Sequence, residues 1–259
     1  MVGEVFTPRE MIDRLVAFDT TSRESNLALI HFVRDYLAEH EIDSTLIHDQ
    51  TGDKANLFAT VGPMVNGGVV LSGHTDVVPV DGQNWSTDPF QVVEREGKLF
   101  GRGTADMKSF CAIGLALVPD MIRRKLALPI HFALSYDEEV GCLGAPDLSQ
   151  HLQGLPVHPQ ALIVGEPTEM KVVNAHKGCC AIRTIVTGLE GHSSETHKGV
   201  NSIFAAAKLI SYLADKAEAL QTSNVNPRFD PPYTTIQVGV INGGTAGNII
   251  PKETTFWWE

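Results

Sequence analysis

His74 and Asp76 in GHTDVVP, Asp106 in GRGTADMK, Asp137, Glu138 and Glu139 in SYDEEVG, and Glu166 in GEPT are the residues with chemistry to offer. Each group follows a hydrophobic run or a glycine-rich turn. One imidazole among several carboxylates is a donor set for a zinc-like cation, with cobalt or manganese as substitutes. Carboxylates gathered out of water are costly unless a cation compensates them. A carboxylate shared by two ions would hold a pair ~3.5–4 Å apart, able to acidify water and polarise a carbonyl.

Taken singly, each residue has an ordinary structural role. A histidine at a strand end is often a hydrogen-bonded core residue, and Asp76 suits an Asx turn. Asp106 suits the N-cap of the helix after it. Residues 137–139 suit a solvated strand end or favourable charge at a helix N-terminus. Glu166 suits the extended backbone that precedes a proline. Joint placement is what points to a cation. In open α/β sheets ligands bind at the carboxyl ends of strands, where these residues fall, while Asp106 comes where a loop enters a helix.

Local patterns indicate the elements that must position them. Thr7-Pro8-Arg9-Glu10 is a capping box with proline at the first helical position, opening a helix that buries Met11, Ile12, Leu15 and Val16. A polar break from Thr20 to Ser25 precedes a second helix with Leu29, Ile30, Val33, Tyr36 and Leu37 on one side. Strands are expected at 44–48, 56–61 and 69–73, and a hairpin over 91–100 through Glu96-Gly97. A helical pattern over 107–126 is kinked or divided by Pro119. A buried strand at 129–136, a partly helical stretch at 141–152 and a strand at 161–164 complete the series. Strands alternating with helices indicate an α/β domain around a mostly parallel sheet.

From about residue 178 the order becomes strand 180–187, helix 200–220, and strands 234–241 and 252–258. That is the start of a smaller α/β sandwich, so the expected division is 1–177 and 178–259. One helix on three strands leaves a face bare, and Phe256-Trp257-Trp258 is an apolar ending, so a C-terminally truncated chain is the expectation.

With 43% apolar and 20% charged residues, the 259-residue chain has the composition of a soluble globular protein. Its 31 acidic against 20 basic residues give a net charge of −11, which excludes the basic footprint of a nucleic-acid binder. The four cysteines (Cys111, Cys142, Cys179, Cys180) form no C-x-x-C pair, so free thiols in a reducing compartment are expected. No basic-then-apolar leader and no apolar run of bilayer length is present, and the expected location is cytoplasmic.

GHTDVVP, GRGTADMK, SYDEEVG and GEPT, in this order, resemble the dinuclear zinc aminoacylase and carboxypeptidase family across nearly the whole chain. SYDEEVGCLGAP, GHSSETHKGVNS and GGTAGNIIP are most similar to the branch that removes the acetyl group from N-acetylornithine in arginine biosynthesis. The resemblance implies a zinc-peptidase-like catalytic domain with two zinc ions. His74 and Glu166 would bind one, Glu139 the other, and Asp106 both. Glu138 would be the general base, and Asp76 would hydrogen-bond His74 and fix its tautomer. The two adjacent glutamates are expected to divide their roles because consecutive strand residues point oppositely.

The same resemblance implies that the second domain makes a homodimer or lid. His192 would reach a partner subunit's site and stabilise the oxyanion, and Asn248 would recognise the substrate carboxylate. Without the family, His192 reads as a turn histidine and Asn248 as a left-handed turn residue. Members of the family continue further, and the continuation supplies a last histidine ligand, so this chain alone is expected to be inactive or weakly active. The related specificities are N-succinyl-diaminopimelate and dipeptides. The reading from a different class is a dimerising or binding module without catalysis.

Overall fold

A computed structural model describes residues 3–259. The chain separates into two units, one running to Lys171 and one spanning Val172–Glu259.

In the first unit, α1 (Pro8–Val16) begins at the expected capping box: the Thr7 hydroxyl accepts from Glu10 N, and the Glu10 carboxylate accepts from Thr7 N at 2.8 Å. Helix α2 (Leu27–Glu39) follows, then β1 (Ser44–His48), β2 (Ala55–Val61) and β3 (Val69–His74). A small hairpin, β4 (Val93–Arg95) and β5 (Lys98–Phe100), turns through Glu96 and Gly97, both at positive φ. Pro119 divides the next helical stretch, as its missing N–H and fixed ring demand, into α3 (Lys108–Ala116) and α4 (Val118–Arg124). Then come β6 (Ile130–Ser135), α5 (Ala145–Gln153) and β7 (Ala161–Val164).

Apart from the β4–β5 hairpin, the strands form one sheet in the order β1-β2-β6-β3-β7. β6, β3 and β7 are parallel neighbours, and β2 alone runs against the other four. Side chains alternate across the sheet. Leu57, Leu71, Phe132 and Leu134 face a core shared with α1 to α4, while Phe58, Val70 and Ala133 pack with Leu148 of α5. The result is a helix–sheet–helix sandwich whose parallel strands end along one edge.

The second unit contains β8 (Ile182–Thr187), β9 (Gly191–His192), α6 (Ser202–Leu220), β10 (Val238–Gly243), β11 (Ile249–Ile250) and β12 (Glu253–Trp258). β10-β12-β8 form an antiparallel sheet, and a separate β9–β11 pair sets His192 opposite Ile249. Ala206 and Leu213 of α6 pack on Phe256, whereas Ile185, Val240 and Trp257 on the other side are exposed. Among the described residues no helix is long and apolar enough to cross a membrane, and all four cysteines are free.

The polar break between α1 and α2 is present, and its residues 20–22 are buried, Thr21 making a parallel bridge to Val77. One expectation needs correction. β6 ends at Ser135, so Glu138 and Glu139 lie on a loop and not on a strand. Asp137, at φ +54°, turns the chain out of the sheet, and this turn, not the pleat, sets the directions of the two glutamates.

Asn56, fully buried on β2, holds both ends of that loop: Tyr136 N donates to its Oδ1 at 3.3 Å, and its Nδ2 donates to Gly144 O at 2.9 Å. Asn56→Ala strands two backbone groups and is expected to cost about 1–3 kcal/mol. The check is the urea midpoint of the first unit, and an unmoved midpoint would show the loop to be held by other contacts.

Candidate metal centre

The three parallel strands deliver their following residues to one edge. His74 closes β3 in register with Ser135 of β6, and Gly165 N donates to Ser72 O, carrying Glu166 to the same level. Gly73 lies against the start of α3: a Cβ there would stand 2.6 Å from Cys111 Sγ and 2.8 Å from Met107 Cε. At Gly165 a Cβ would overlap the Phe110 ring. These close approaches bring the loop with Asp106 against His74 and Glu166.

His74 is 2% exposed. Its Nδ1 donates to the backbone carbonyl of Asp76 at 2.9 Å, which leaves Nε2 as the coordinating atom. Nε2 lies 3.0 Å from Asp106 Oδ1, 3.8 Å from Glu166 Oε1 and 3.9 Å from Glu138 Oε2. Two groups have donor atoms within 4.8 Å of one another: His74, Asp106 and Glu139, and His74, Glu138 and Glu166. All five expected ligand and base residues therefore meet around one imidazole.

Asp76 hydrogen-bonds His74 through its backbone. The carbonyl of Asp76 takes the Nδ1 proton, while its carboxylate stands 3.5 Å from that nitrogen. That carboxylate accepts instead from Ser22 Oγ at 2.7 Å, Glu138 N at 3.1 Å and Glu139 N at 3.3 Å. Asp76 thus supports the histidine and both glutamates at once.

The electrostatics are those of crowded acid. Burial, then repulsion by Asp106, raises the Glu139 pKa above the usual carboxylate range. Burial likewise raises Glu166, with the charges of Asp106 and Glu138 adding and His74 opposing. For His74, burial works against protonation, but Asp76 and Glu166 outweigh it and push the imidazole up to about 9. Asp76 is itself buried, yet His74, Ser22 and the Glu138 N–H hold its carboxyl low. One imidazole and crowded carboxylates form an oxygen-rich, negative donor set that a divalent cation would neutralise, so the residues fit the ion their chemistry implies. A cavity of about 180 Å³ adjoins the cluster, lined by Val78, Arg102, Asp106 and Glu139 among others.

The surrounding support was not legible in sequence. Ser22 looked like loop, and Lys54, whose ammonium pairs with Asp137, carried no motif. Lys108 is fully buried and donates to Phe18 O at 2.8 Å, and burial pulls its pKa down to about 8. GRGTADMK ending on a helix start was the one signal for it.

In the second unit, His192 Nδ1 accepts from Ser194 N at 3.2 Å and lies 2.7 Å from Ser194 Oγ. In the neutral ring this leaves the proton on Nε2, the form able to donate. Asn248 is close by: its carbonyl accepts from Ser193 N at 3.0 Å.

Residues 70–243 match the model of peptidase family M20/M25/M40. The chain is 39% identical to the acetylornithine deacetylase of Proteus mirabilis over 236 residues, 90% of this chain and 60% of that protein. It is 36% identical to that of Pasteurella multocida over 248 residues, 93% of this chain and 64% of the relative. The chain thus spans less than two thirds of the length of these curated relatives. Among solved structures, an M20 family metallo-carboxypeptidase from Sulfolobus solfataricus aligns with a TM-score of 0.72 at 15% identity, covering 98% of this chain and 70% of that one. A tripeptidase from Staphylococcus aureus aligns at 0.61 and 19% identity, covering 98% and 66%. At such identities the structural likeness speaks for the fold alone.

Asp76→Asn would set an amide NH2 against one of the two backbone donors, Glu138 N or Glu139 N, and loosen the loop that carries both glutamates. It is expected to weaken cobalt or zinc binding about 10- to 100-fold, measured by metal titration. An unchanged affinity would mean that the Asp76 carboxylate does not support the cluster.

Proposed function

The chain belongs to peptidase family M20/M25/M40, whose members include metal-dependent hydrolases, and from that premise we propose that it is the metal-binding part of a deacylase cleaving the amide of an N-acyl amino acid. The substrate is N-acetyl-L-ornithine and the products are L-ornithine and acetate, a step of arginine biosynthesis. Identities of 35–39% to acetylornithine deacetylases over about 90% of the chain support that choice. The observation that carries hydrolysis is the pair Glu138 and Glu139 beside His74. A binding module needs ligands but has no use for a neighbouring base.

Two divalent ions, zinc by preference with cobalt or manganese as substitutes, would supply the Lewis acidity that acidifies water and polarises the amide carbonyl. His74 and Glu166 would hold one, Glu139 the other, and Asp106 would contribute to both. Glu138 takes the proton of the attacking water as the new C–O bond forms. It then returns that proton to the departing amine as the C–N bond breaks. Asp76 keeps the base and the ligands in place through three hydrogen bonds.

The second unit acts as the dimerising or lid part. His192, donating through Nε2, stabilises the oxyanion in a partner subunit, and Asn248 binds the substrate carboxylate. Free thiols at all four cysteines suit a reducing, cytoplasmic setting. Both candidate ligand groups contain His74, but that imidazole goes to one ion, which leaves the other to the carboxylates of Asp106 and Glu139. The chain as it stands is therefore weakly active or inactive by itself.

In a form extended to the length of its relatives, Glu138→Gln is expected to keep its metals and lose about 100- to 10,000-fold in ornithine release. Full activity would remove Glu138 as the base. A parent form without metal would sink the deacylase reading altogether.

A further inference from the structure

The turn that carries Glu138 and Glu139 presents three successive acids, beginning with Asp137. A turn so charged repels itself, and only the last two residues belong to the metal cluster. Asp137 points elsewhere, to a cation this chain already contains. Lys54, just before β2, pairs with the Asp137 carboxylate, and the two side chains are only 15% and 11% exposed. The same ammonium donates to the carbonyl of Ser22. Lys54 and Asn56 lie two residues apart where β2 begins, so both ends of the acidic turn hang from one strand face.

The contacts close a ring. Lys54 holds Asp137 and the Ser22 carbonyl. Ser22 Oγ donates to Asp76 at 2.7 Å, and Asp76 accepts from Glu138 N, the residue joined to Asp137, at 3.1 Å. We propose that Lys54 is a positioning residue: by gripping Asp137 and Ser22 together it sets where Glu138 and Glu139 stand relative to His74. It touches neither metal nor substrate. Resting as it does on the metal-dependent reading, the role is one of geometry. Without the ammonium, Asp137 would be a buried carboxylate with no charge partner and the turn would swing toward water.

The test uses the chain as it exists, with Lys54→Met, Asp137→Asn, the double variant, and Lys54→Arg as the conservative replacement. Cobalt(II) uptake is followed by its visible absorption, which reports ligand geometry, and urea unfolding shows that each variant is folded. Each single change is expected to weaken cobalt binding about tenfold and alter the spectrum. The double variant should be no worse than either single, because both remove one shared contact, and Lys54→Arg should recover most of the binding. If Lys54→Met does not fold, Asp137→Asn carries the same expectation. Parent-like affinity and spectrum in the folded variants, or losses that add, would overturn the inference alone. A parent that takes up no cobalt would overturn the metal reading and the inference with it.

Discussion

The carboxylate of Asp76 is almost completely buried, and the hydroxyl of Ser22 and the backbone N–H groups of Glu138 and Glu139 all converge on it. Its own backbone carbonyl takes the Nδ1 proton of His74. One residue therefore fixes the tautomer of the imidazole and the position of the two glutamates facing it. Hydrogen bonds from N–H and O–H to a carboxylate are among the stronger ones available, and a buried charge so satisfied is not free to move. The supports of the cluster are more buried than the carboxylates they position: Asp106, Glu138 and Glu166 remain between a third and a half exposed.

Topology makes this arrangement possible. β6, β3 and β7 are parallel neighbours, so residues that lie far apart in the chain arrive at the same edge. An antiparallel arrangement would send alternate strand ends to opposite edges. Tight glycine contacts then bring the loop before α3 down onto that edge, since a side chain at Gly73 or Gly165 would hold it off. The burden of like charge is shared unequally: Lys54 answers Asp137 from within the chain, and the remaining carboxylates face His74.

The second unit follows a simpler plan, an antiparallel sheet with α6 on one side. Its short β9–β11 pair joins two stretches well separated in sequence and sets His192 beside Asn248. Both remain exposed. Their neighbourhood gives the pair a common address on this unit, which is the physical content of the roles proposed for them.

The alternation of apolar residues, the capping box at Thr7 and the break at Pro119 are local physics, so α1, the α3–α4 division and the strand that ends in His74 could be read directly from the chain. The acidic and imidazole residues were legible for a related reason: strand ends next to glycine announce themselves by composition, and the family's motifs add their order. What the chain could not disclose was the set of partners. Ser22 and Lys54 look like ordinary loop residues, and nothing near them in sequence says that they meet Asp76 and Asp137, 54 and 83 residues away. The loop carrying Glu138 and Glu139 was mistaken for strand because Asp137 can adopt positive φ without a glycine's signature. Types and spacing determined which groups could do chemistry. Only tertiary packing decided what holds them, because a hydrogen bond between distant segments leaves no period in the sequence.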